Sequence, residues 1–174
     1  MAKRATRLLT VLSLIIVTIG CDRVTKGIAA HSLAGRPRLS LASDCIRLEY
    51  SENQGGFLSL GAGWPHAART AVFGLGTFLV LGILGIWILR GAIAGHGVLG
   101  PTLLWAGGVA NLVDRLVQGR VVDFLNLGVG AVRTGIFNVA DVAIMAASVL
   151  IITELAKSRS ASSSGGSARR RTRG

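Results

Sequence analysis

Residues 8–21, 70–89, 91–113 and 134–153 are runs of apolar and small residues, and Asp141 is their only charge if His96 is neutral. They are 14, 20, 23 and 20 residues long. A helix needs about 20 mostly apolar residues to cross a bilayer, so three of the four qualify on length. The first is short and stops at Asp22-Arg23-Val24-Thr25-Lys26. With Lys3, Arg4 and Arg7 ahead of it, this run also suits a signal peptide. Thr18-Ile19-Gly20-Cys21 even ends as a lipoprotein cleavage site does, with a small residue before Cys. Three later spans favour a retained first helix, and spans are expected at about 8–28, 70–89, 98–116 and 136–155.

Between the spans lie a long polar excursion (residues 30–66), a tight turn (91–97) and a connector (116–133). Within the excursion Ile46-Arg47-Leu48-Glu49-Tyr50 alternates apolar and polar residues, as a half-buried strand does. Gly55 and Gly56, then Gly61 and Gly63, mark turns. The expectation is an all-α membrane protein, with four transmembrane helices over residues 1–157 and a small extracytoplasmic β-containing segment resting on the membrane surface. Residues 158–174 are Ser/Gly/Arg-rich and of low complexity, which predicts a disordered basic cytoplasmic tail.

Charge and composition narrow the class. The formal net charge is +11, yet 51% of the residues are hydrophobic and only 16% charged. Soluble nucleic-acid binders are polar as well as basic, so no nucleic-acid partner is expected. Two cysteines, Cys21 and Cys45, cannot build a disulfide scaffold or a four-ligand zinc site. His31, His66 and His96 are scattered, without metal-ligand or triad spacing. No metal site is expected.

With both termini cytoplasmic, four spans divide the basic residues ten inside to nine outside, a weak positive-inside bias. The acidic residues discriminate better. Asp22, Asp44, Glu49, Glu52, Asp114, Asp123 and Asp141 fall on the outer half, and only Glu154 on the inner. The first and third helices run outward and end at Asp22 and near Asn111–Arg115. Asp123 follows in the connector, and the fourth helix begins with Asn138 and Asp141. Ionisable groups gathered at one depth of a membrane protein point to function, although polar networks also serve only to lock helices together. Two carboxylates held close cannot both ionise, so one keeps a proton while the other activates water. Asp123 and Asp141 are the best-placed pair.

Five blocks then carry a resemblance. In order they are Asp22-Arg-Val-Thr25-Lys26 (D-x-x-T-K), Glu52-Asn53-Gln-Gly55 (N-x-G), Asn111-Leu-Val-Asp114-Arg115 (N-L-x-D-R), Val121-Val122-Asp123-Phe124 (V-V-D-F) and Phe137-Asn138-Val139-Ala140-Asp141 (F-N-x-A-D). The chain resembles the bacterial lipoprotein signal peptidase (signal peptidase II) family of four-helix membrane aspartyl proteases. The resemblance implies that Asp123 and Asp141 are the catalytic dyad. It also implies that Asn53, Gly55, Asn111, Arg115, Asn138 and Ala140 line the substrate groove, with Asp22, Lys26 and Asp114 in support. The second block departs from the family: Gly56, Phe57 and Leu58 follow, so the aromatic stands one place early.

The activity so implied is cleavage of the signal peptide from diacylglyceryl-modified prolipoproteins, on the N-terminal side of the lipidated Cys, by a monomer in the cytoplasmic membrane. Its active site would lie near the outer face, in contact with membrane lipid and without a cofactor. Two other classes remain open on the residues alone. One is a membrane lipoprotein lipidated at Cys21, and the other a small channel or transporter subunit that uses the aspartates as ion or proton sites.

Overall fold

A computed structural model describes residues 2–56, 61, 63–91 and 95–171. Each of the four apolar runs contributes a helix, the element that satisfies its own backbone where no water can. Helix α1 is Ala2–Leu33. Helix α2 (His66–Arg69) continues through a π-helical segment, Thr70–Gly76, into α3 (Thr77–Leu89). Helix α4 is Leu99–Gln118 and α5 is Val139–Arg171. Among the described residues, three helical stretches are long and apolar enough to cross a membrane: Arg4–Leu33, Ala67–Leu89 and Val139–Ser158. Their exposed residues include Leu9, Ile16, Val17, Leu79, Val80, Val149 and Ile152, the side chains expected to meet lipid rather than water. Helix α4 is less apolar because Asn111, Asp114 and Arg115 lie in its second half.

Helix α4 packs against α1, α3 and α5 and is the centre of the bundle. Its buried face is small and polar, comprising Gly100, Thr102, Ala106, Gly107, Ala110, Asn111 and Asp114 among others. Small residues let helix backbones approach where no hydrophobic force drives association. The approach is closest at Gly107, where an added Cβ would lie 2.6 Å from the Ala140 carbonyl oxygen of α5. At the far end of the bundle Val11, Ile88 and Val98 form an apolar cluster. There Arg7 donates to Ile88 O (3.0 Å), satisfying a carbonyl of the last turn of α3.

At the other end stands a four-stranded antiparallel sheet in sequential order: β1 (Leu39–Leu41), β2 (Ile46–Asn53), β3 (Val121–Val129) and β4 (Val132–Arg133). The expected strand at residues 46–50 is therefore longer. The expected connector at 116–133 supplies β3 and β4, so the small β structure expected of the excursion alone draws on both segments. Gly119, at φ 70°, ends α4 in the left-handed conformation and turns the chain into β3. The sheet rests on the end of α1, where Ala29, Leu33 and Val122 are buried together and Leu48, Tyr50 and Phe124 pack around them. This contact carries α1 five residues past its expected end at 28. Helix α5 likewise continues beyond 158, over residues expected to be disordered; no proline interrupts them. Phe57 and Leu58, the atypical pair of the second block, lie outside the described residues.

The Gly107 contact is with backbone, which cannot rotate away. Gly107→Ala should therefore displace the first turn of α5 and cost about 1–3 kcal/mol of stability. Gly108→Ala would first meet the end of the Leu81 side chain, which can rotate aside, and should cost less. Equilibrium unfolding in mixed detergent micelles compares the two.

Candidate active site

The strand, the loop after β2 and three helices converge at the sheet end. Pairing of β2 with β3 sets Ser51 opposite Asp123 and Asn53 opposite Val121, with a register irregularity between Leu48 and Ser51. Asn53 then reaches across the pair, and its Nδ2 donates to Asp123 Oδ2 at 2.9 Å. Its Oδ1 accepts from Gly55 N (2.9 Å), closing a tight turn in the loop that follows.

Asp141 is placed by a helix cap. Asn138 stands just before α5 and its Oδ1 accepts from Asp141 N (3.0 Å), while Asp141 Oδ2 accepts from Asn138 N (3.2 Å). This reciprocal pair at three-residue spacing is a capping box built from Asn and Asp. The remaining N–H donors of that first turn include Ala140 N, which donates to Asp22 Oδ1 at 2.9 Å. A helix N-terminus is also where negative charge is best tolerated.

The same Asn138 joins the two candidate catalytic residues. Its Nδ2 donates to Asp123 Oδ1 at 2.6 Å and lies 3.3 Å from Asn111 Oδ1. Asn111 Nδ2 donates to Asp141 Oδ1 at 2.9 Å. Three neutral amides thus hold two carboxylates that are only 2% and 7% exposed, Asp123 and Asp141. Burial, with the Asp141 charge adding to it, pushes the Asp123 carboxyl up to about 6 against the opposing hydrogen bonds from Asn53 and Asn138.

Beneath the amides lies a compact ionic cluster. Lys26 Nζ sits 2.7 Å from Asp114 Oδ2, 2.7 Å from Asp22 Oδ2 and 2.8 Å from Asn111 Oδ1. The Asp22 Oδ2 contact is an ion pair without hydrogen-bond alignment. Arg23 Nη1 donates to the other Asp114 oxygen at 2.6 Å. Two cations meet two carboxylates, so the cluster is neutral in sum. Arg115, one turn beyond Asn111, donates through Nε and Nη2 to Gly55 O (3.2 and 2.8 Å) and through Nη1 to Asn111 O (3.3 Å). It clamps the loop after β2 onto α4.

All eleven residues singled out in the sequence therefore meet in one connected network. Arg23 was missed as a member, although an arginine beside Asp22 at the end of a span needs a partner and signals one. Among the described residues, no three His, Cys, Asp or Glu side chains come together as metal ligands would.

A helical bundle with lipid-suited flanks and polar residues massed at one end is the build of a membrane enzyme. Solved structures share it. One is a bacterial membrane enzyme determined by the in meso method at 2.3 Å resolution, with a TM-score of 0.74 and 25% identity over 87% of this chain and 90% of that one. A second, at 1.9 Å, has a TM-score of 0.71 and 24% identity over 84% and 92%, a likeness of fold. Residues 14–157 match the family described as Signal peptidase (SPase) II. Relatives named lipoprotein signal peptidase include one from Desulforapulum autotrophicum, 33% identical over 87% of this chain and 93% of its own length. Another, from Burkholderia mallei, is 33% identical over 81% and 84%, and one from Mycobacterium leprae is 30% identical over 84% and 71%. The chain belongs to the signal peptidase II family, and is accordingly a membrane peptidase of lipoprotein processing.

The ionic cluster generates its own test. Lys26→Met leaves two buried carboxylates facing one half-exposed arginine, and should cost about 3–5 kcal/mol. The triple variant Asp22→Asn, Lys26→Met, Asp114→Asn removes the charges together and should lose less than the single one. Unfolding equilibria of the purified proteins compare them, and a single variant as stable as wild type would refute the pairing.

Proposed function

We propose that the chain is an aspartic endopeptidase in which Asp123 and Asp141 share one proton and one water. The observation that carries the reading is the pair of buried carboxylates that Asn138 bonds together, Asp123 through its side-chain amide and Asp141 through its backbone N–H. The ionised member takes a proton from water, whose oxygen attacks the scissile carbonyl carbon. The protonated member gives its proton to the carbonyl oxygen, forming a tetrahedral diol. In the collapse the first carboxyl protonates the leaving amine and the C–N bond breaks. The second recovers a proton from the diol, so the dyad returns to its starting state. Asn53, Asn111 and Asn138 hold the carboxyls at fixed angles, and Arg115 fixes the loop along which substrate lies.

The substrate in this reading is a prolipoprotein whose Cys already carries diacylglycerol, cut on the N-terminal side of that Cys. The signal peptide lies as a helix in the bilayer and the acyl chains among the apolar helices, which suits a site at the membrane boundary. Helix α4 serves as a fourth span, its polar end tolerated because Asn111 and Asp114 are buried among partners. Both termini are then cytoplasmic and the sheet stands on the outer face. One copy of the chain supplies every group named, consistent with a monomer.

Cleavage of a diacylated prolipoprotein by purified protein, beside its non-lipidated form, tests the whole reading. Asp123→Asn and Asp141→Asn should each reduce turnover by about 10³-fold or more. The double variant should be no worse than either, because the two act as one unit. Substantial processing by either single variant would contradict the mechanism, and equal cleavage of the non-lipidated form would remove the claim of lipid recognition.

A further inference from the structure

Against Arg115, between the end of α4 and the π-helical segment, is a cavity of about 310 Å³. Its walls include Gln54 of the loop after β2, Arg69 and Phe73 around the α-to-π junction, and Arg115, Leu116 and Gly119 at the end of α4. This volume is at the small end of ligand sites and suits a side chain with its flanking backbone. Its described walls bear two guanidinium groups and no carboxylate. Glu52, the acidic residue nearest Gln54 in the chain, is paired with Arg120 at 3.2 Å.

The two arginines differ in what they offer. Arg115 directs three of its five N–H groups at Gly55 O and Asn111 O. Its charge is also felt by Asp123, Asp141 and Asp114. Most of its field is therefore spent on the dyad side. Arg69 comes from a different element, α2, and brings a second positive charge to the cavity lining. The π segment begins at the next residue, and π turns within helices are frequent at functional sites.

Position decides what would enter. Asn111, which holds Asp141, and Arg115 are one turn apart on α4, about 6 Å along its axis. Two extended residues cover about 7 Å. A chain whose scissile bond lies at the dyad, and which leaves toward the sheet end, thus brings one of its first residues after the lipidated Cys past Arg115. We propose that the cavity between Arg69 and Arg115 is a subsite for an acidic side chain within the first two residues of the mature lipoprotein. The enzyme would then discriminate among its substrates by charge next to the lipidated Cys. This rests on the peptidase reading above.

The test uses the full chain in mixed micelles and three diacylated prolipopeptides, identical except for Asp-Asp, Ser-Ser or Lys-Lys after the Cys. At low salt kcat/KM should fall in that order, with the Asp-Asp peptide about three- to tenfold better than Ser-Ser. High salt should compress the ratio. Arg69→Gln should bring it close to one, chiefly through loss on the Asp-Asp peptide, and Arg69→Lys should keep part of it. Equal rates for Asp-Asp and Ser-Ser in wild type, or an unchanged ratio in Arg69→Gln, would overturn the proposal. Binding of the cleaved Asp-Asp and Ser-Ser lipopeptides, measured alongside, separates the two claims. A chain that bound the acidic product preferentially but cut nothing would keep the subsite and refute the peptidase. A chain that cut all three peptides equally would do the reverse.

Discussion

Two carboxylates must be kept side by side, out of water, without either being neutralised by a cation. A lysine or arginine bonded directly to Asp123 or Asp141 would favour full ionisation and leave no proton to share. The molecule meets this constraint by allotting donors. Asp123 accepts from the side-chain amides of Asn53 and Asn138, and Asp141 from the amide of Asn111 and the backbone N–H of Asn138. The nearby cations are engaged elsewhere: Lys26 and Arg23 by Asp22 and Asp114, and Arg115 by two backbone carbonyls. Neutral donors orient the dyad while the ionic cluster one layer below ties α1 to α4.

The fold follows from that arrangement. Asn111 needs α5 within reach of α4, which requires Gly107 beneath Ala140. Asp22 needs the first turn of α5 close to α1, and its bond to Ala140 N fixes that distance. Asp123 cannot come from a helix whose N-terminus is already occupied by Asp141. It comes instead from a strand that crosses in front of the bundle, registered by β2 and anchored on the end of α1. Each of the three layers, ionic, amide and strand, is held by the one below.

Much of this was legible in the residues for local reasons. Helices of a membrane protein announce themselves as apolar runs, and Asn138-Val-Ala-Asp141 has the three-residue spacing of a capping box. The charges of Asp22 and Lys26 are one turn apart, so their pairing on α1 is a matter of helix geometry. The strand β3 was not legible as such. Val121–Val129 pairs with residues some 70 positions earlier, and what stabilises it is that partner and the end of α1 rather than anything within the segment. For the same reason the clamp from Arg115 to Gly55 and the partner of Arg23 had to await the fold, because backbone carbonyls and distant carboxylates leave no pattern in the chain.

The central claim is that Asp123 and Asp141 behave as one titrating unit. Carbon-13 NMR of aspartate-labelled protein, with the Asp123 carboxyl followed against pH, tests it most directly in wild type and in Asp141→Asn. In wild type Asp123 should titrate near the value of about 6 to which burial and the neighbouring charge push it. A negative neighbour opposes ionisation, so removing it must lower the midpoint: in Asp141→Asn the same carboxyl should titrate at lower pH, while burial still holds it above an ordinary aspartate. An Asp123 that titrated identically in the two proteins, or like a free aspartate at about 3.9 in both, would contradict the shared proton on which the account rests.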